Sequence, residues 1–76
     1  MPLARLRVLS GAAACRILED NGFRLVRQRG SHAIMQKAVA DSTVTVPVPM
    51  HDELRVGALL AIIRQSGLLR SVFEAE

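Results

Sequence analysis

From Phe23 to His32 the chain reads Phe-Arg-Leu-Val-Arg-Gln-Arg-Gly-Ser-His, so that cations, a glycine turn and a histidine follow one another closely. Histidine is the side chain that can both take and give a proton near neutral pH, and guanidinium and ammonium groups hold phosphate. These types together suit one reaction. A base removes the proton from a ribose 2′-hydroxyl, that oxygen attacks the adjacent phosphate, and neighbouring cations stabilise the charge that develops. The reaction requires no metal. The candidates are His32 for proton transfer and Arg27, Arg29 and Lys37 for phosphate, with Gly30 shaping the turn and letting the backbone approach a phosphate closely and Ser31 offering a hydroxyl and an N–H. His51, after Pro49, is the other titratable candidate: a proton donor to the leaving oxygen, a phosphate contact, or a plain loop residue. A surface histidine beyond an ordinary hairpin turn would give the same local pattern.

Other chemistries find less support. His32 and His51 stand far apart in the chain, Cys15 is the single cysteine, and the carboxylates do not cluster, so no zinc-type ligand spacing is present and no metal or other cofactor is expected. No Gly-x-x-x-x-Gly-Lys phosphate loop and no Gly-x-Ser-x-Gly nucleophile elbow occurs. Cys15 reads as a small buried helix residue rather than a nucleophile.

With 76 residues, half of them hydrophobic and 22% charged, the chain is expected to be one small globular domain spanning residues 1–76. Phe23 and Phe73 are its only aromatics, so aliphatic residues must fill most of the core. A lone cysteine fits a reducing cytoplasm. Arg5 and Arg7 interrupt the opening residues, which argues against a secretory leader. The longest apolar run, Val56 to Ile63, is far short of the ~20 residues of a spanning helix, so a soluble cytoplasmic protein is expected. Net charge is +3, but six arginines against two carboxylates put +4 in residues 1–29, leaving −1 in the remainder. A cationic stretch leading to His32 would attract a polyanion.

The elements that must carry these residues follow from periodicity. Met1 to Leu9 reads as an extended arm, and Ser10 as the N-cap of a helix from Gly11 to Asn21 with Ala14, Ile17 and Leu18 on one side. Phe23–Arg29, Ser31 or His32 to Lys37, and Thr43–Val48 read as three strands, with Ala38 to Ser42 as a hairpin loop and Pro47 and Pro49 ending the third strand or marking an edge. Val56–Ser66 is the second helix, with Val56, Leu59, Leu60 and Ile63 as its buried stripe, and Ser71 can cap a last short turn. The order α-β-β-β-α implies a two-layer α+β domain in which both helices cover one face of a three-stranded antiparallel sheet and the other face is free. Strand parity puts His32, Ile34 and Gln36 on one face and Ala33, Met35 and Lys37 on the other. Ala33 and Met35 inward with His32 exposed is the favoured arrangement, Ile34 argues for the reverse, and parity alone leaves both open.

Four motifs in this order carry a family resemblance: Leu18-x-x-x-Gly22-Phe23, Arg27-Gln28-Arg29-Gly30-Ser31-His32, Thr43-Val44-Thr45-Val46-Pro47, and Leu54-x-x-Gly57-x-Leu59-x-x-Ile62-x-Arg64-Gln65-x-Gly67. Over about residues 10–73 the chain resembles the HicA (YcfA-like) mRNA interferase toxins. The resemblance implies a double-stranded-RNA-binding-domain-like fold and a metal-independent endoribonuclease in a type II toxin–antitoxin pair. It also implies that His32, the histidine of the Gly-Ser-His motif, is catalytic, that mRNA is the substrate, and that a cognate HicB-type antitoxin covers the site. The rival readings are a non-catalytic RNA-binding module on the same fold and an interaction subunit whose basic strand binds an acidic protein.

Overall fold

The computed structural model describes residues 5–75, so the first four residues of the expected arm lie outside the described residues. In chain order the elements are β1 (Arg5–Leu6), α1 (Gly11–Asp20), β2 (Arg24–Arg29), β3 (His32–Val39), β4 (Ser42–Pro49), α2 (Val56–Ser66), a 3-10 helix (Arg70–Phe73) and β5 (Glu74–Ala75). β2, β3 and β4 form an antiparallel sheet in that order. The architecture is the expected α-β-β-β-α, two-layer α+β arrangement of a double-stranded-RNA-binding-domain-like fold. A small addition was not foreseen: β1 and β5 pair antiparallel, Arg5 with Ala75 and Leu6 with Glu74.

The helix starts show how local chemistry sets the frame. The Ser10 hydroxyl accepts from the Ala13 N–H at 3.0 Å, as an N-cap does. The Gly11 N–H donates to the His51 carbonyl at 2.9 Å, which ties α1 to the chain leaving β4. Glycine is required there by close approach: a Cβ would run into the Pro49 carbonyl oxygen and lie 2.8 Å from the Met50 Cα.

One core cluster unites the two layers, with Ala14 and Leu18 from α1, Met35, Val46 and Val48 from the sheet, Leu59 and Ile62 from α2, and Phe73 from the 3-10 helix. Burying side chains such as Phe73, Leu18 and Ile62 contributes roughly 1.5–3 kcal/mol each. The α2 stripe differs from the expected one. Leu59, Ile62 and Ser66 are buried, Ile63 is half-buried, and Val56 and Leu60 are exposed, because the helix is rotated toward the i, i+3, i+7 set. The hairpin between β3 and β4 is also tighter than expected. Val39 pairs with Ser42, so only Ala40 and Asp41 remain to turn the chain, and Ala40 adopts φ +40°. The last turn begins at Arg70 after Leu69 rather than at a Ser71 cap.

Candidate nucleic-acid interface

The register decides which residues share the sheet face turned away from the helices. Ala33 pairs with Gln28 and Val48, and Met35 with Leu25 and Val46. Met35, Val46 and Val48 belong to the core, so this parity faces inward. The opposite parity then carries His32 paired with Arg29 and Pro49, Ile34 with Arg27 and Pro47, and Gln36 with Arg24 and Thr45. His32 is exposed, as the favoured parity has it. Ile34 shares its face yet is only 8% exposed, lying between Arg27 and Pro47, and arginine stems can cover apolar surface in this way.

A β-bulge builds the cationic part of this face. Arg24 opposes Gln36 and Leu25 opposes Met35, but the next paired residue is Arg27, opposite Ile34. Val26 is therefore extra, and the strand changes parity across it. Without the bulge, period two would put Arg24 on the helix side while Arg27 and Arg29 faced outward. With it, Arg24, Arg27 and Arg29 stand on the His32 face, all exposed. Nothing in the sequence signals that Arg24 joins this face: strict alternation with Arg27 and Arg29 would turn it to the other side, and a bulge has no reliable local signature. Among the described residues the one ion pair joins Arg70 to Glu74 at 2.8 Å, and none of their carboxylates pairs with these three guanidinium groups.

Lys37 does not join them. It pairs with Val44 on the helix-facing parity, and its Nζ lies 5.8 Å from the centre of the Phe23 ring, where it makes a cation–π contact. The expectation that Lys37 holds phosphate beside His32 is corrected on this ground. Gly30 and Ser31 form the turn between paired Arg29 and His32, with Gly30 at φ +57°, a conformation that costs glycine little. The Gln28 side-chain amide donates to the Gly30 carbonyl at 3.3 Å and braces the turn. At the other end of the face, Gly22, Arg24, Gln36, Ala38 and Thr43 line an open groove of about 260 Å³. There the Gln36 amide donates to the Thr45 hydroxyl at 3.2 Å.

His51 lies just past β4, at the same sheet end as His32. Cys15, half-buried on α1, has its Sγ 4.0 Å from the Met50 Sδ. Burial, and after it the Glu19 carboxylate, push the Cys15 thiol above its ordinary value, which disfavours the nucleophilic thiolate. Among the described residues no three His, Cys, Asp or Glu side chains gather, and no helix is long and apolar enough to cross a membrane.

The chain is thus a small two-layer α+β domain with a cationic, histidine-bearing open sheet face. The family model for the HicA toxin of bacterial toxin–antitoxin systems matches residues 11–68, and the chain belongs to the HicA toxin family. It is therefore the toxin type of component in such systems. No curated protein and no solved structure matches the chain.

Proposed function

We propose that the chain is a metal-independent endoribonuclease that cleaves mRNA, the toxin of a type II pair silenced by a HicB-type antitoxin. The observation that carries this reading is the exposed His32 on a sheet face shared with Arg24, Arg27 and Arg29. His32 takes the proton of a ribose 2′-hydroxyl, the 2′-oxygen attacks the adjacent phosphorus, and the bond to the 5′-oxygen breaks, leaving a 2′,3′-cyclic phosphate. The leaving 5′-oxygen must gain a proton. Arg27 and Arg29 hold the flanking phosphates, Arg24 extends the track toward the groove at the far end, and Gly30 and Ser31 fix the turn that presents the histidine.

The test is incubation of the purified protein with RNA in EDTA, followed by analysis of the new ends. The expected products carry 2′,3′-cyclic phosphate and 5′-hydroxyl termini. RNA that is bound but stays intact would leave only the non-catalytic binding module.

The arginine track makes a separate prediction. Affinity for single-stranded RNA should fall as salt rises, with a log–log slope of roughly −0.7 per phosphate neutralised. Arg24→Gln should make the slope shallower by about that amount, while Lys37→Gln, on the other side of the sheet, should leave it unchanged. Equal slopes for the Arg24 variant and the wild type would remove Arg24 from the interface.

A further inference from the structure

We infer that His51 is a second catalytic residue, the general acid that protonates the leaving 5′-oxygen, an inference that rests on the nuclease reading of His32. Backbone geometry carries it. The Met50 N–H donates to the Ser31 carbonyl at 2.7 Å, so the β3–β4 ladder continues one residue beyond the paired His32 and Pro49. The carbonyl of His51 accepts from the Gly11 N–H, and the carbonyl of Pro49 faces the same glycine. Alternate carbonyls pointing to one side, with the intervening N–H pointing to the other, mean that the chain is extended through residues 49–51.

Side-chain parity then follows. Pro49 stands on the open face opposite His32. Met50 turns the other way, its Sδ reaching Cys15 on α1. His51 therefore returns to the open face, and it is exposed. As the diagonal neighbour of His32 across the ladder, its Cα lies roughly 7–8 Å away, a spacing that lets both imidazoles reach one phosphodiester between them.

The balance of the step is complete with these two groups. Neutral His32 takes the 2′-hydroxyl proton as the new bond from the 2′-oxygen to phosphorus forms. The bond from phosphorus to the 5′-oxygen breaks, and imidazolium His51 gives its proton to that oxygen. The enzyme ends with the two protonation states exchanged, and solvent restores them.

A bridging sulfur separates this role from phosphate contact or structural support. In RNA with a single 5′-bridging phosphorothiolate the leaving group is a thiolate, which departs without an acid. His51→Ala is expected to cut ordinary RNA roughly 10²–10⁴-fold more slowly than wild type, and to cut the sulfur-linked substrate at close to the wild-type rate. His32→Ala should cut both substrates roughly 10²–10⁴-fold more slowly than wild type. His51→Gln, which retains a polar side chain of similar reach, should behave as His51→Ala does. Wild-type cleavage of ordinary RNA by both His51 variants, or an equal loss on both substrates, would overturn the inference and leave the nuclease reading of His32 standing. A wild-type protein inactive on both substrates would overturn the two together.

Discussion

Replacing His32 with alanine is expected to lower RNA cleavage by roughly 10²–10⁴-fold, the range a positioned general base contributes. RNA affinity should change little, because the phosphate track belongs to Arg24, Arg27 and Arg29, which the substitution leaves in place on the same face. Stability should also hold. His32 is exposed, and its strand position is fixed by the pairing of its backbone with Arg29 and Pro49 rather than by its ring. The variant therefore separates catalysis from binding in one preparation. Single-turnover cleavage and fluorescence anisotropy on the same labelled RNA would read the two quantities. A variant that cuts as fast as wild type would end the assignment of His32 to proton transfer.

The largest structural effect is expected at Gly11. An alanine there drives its methyl into the Pro49 carbonyl oxygen and to within 2.8 Å of the Met50 Cα and 3.0 Å of the Pro49 carbonyl carbon. All three atoms are backbone, so no side chain can rotate away. Overpacking of this kind costs about 1–3 kcal/mol, a large part of the ~5–15 kcal/mol that holds a typical domain together. The strain also bears on the Gly11 N–H bond to His51, which joins the start of α1 to the segment after β4. Urea unfolding should show a clearly lower midpoint for Gly11→Ala. An unchanged midpoint would mean that α1 can move away from β4 at no cost, contrary to the packing described.

Much of this architecture could be read from residue order. The α2 bounds, Val56 to Ser66, follow from its apolar spacing and the glycine after it, and α1 follows from the Ser10 cap and the Asn21-Gly22 stop. Alternating Thr and Val from Thr43 announce β4. These signals are local, and local signals survive without knowledge of the tertiary structure. The pairing of β1 with β5 joins opposite ends of the chain through strands of two residues, too short to show a period. The rotation of α2 that exposes Val56 and Leu60 is set by what the helix packs against, which its own sequence does not encode. The two-residue turn at Ala40 and Asp41 has no local signal, because alanine is an uncommon residue at positive φ.

The candidate site divides in the same way. The types and adjacency of Gly30, Ser31 and His32 are visible in the chain, which makes them candidates, and Arg27 and Arg29 lie on the His32 face. Lys37 is near them in sequence, yet it pairs with Val44 on the opposite parity and its ammonium lies over the Phe23 ring. Arg24 shows the converse. It lies further from His32 in sequence and reaches its face only through a change of register.

That change of register has a practical meaning for mutagenesis. Val26 contributes to the arginine row through its presence as a position rather than through its isopropyl group. A survey that exchanged one side chain at a time would pass over it as neutral. Removing the position altogether would leave every arginine in the polypeptide and still break up the row.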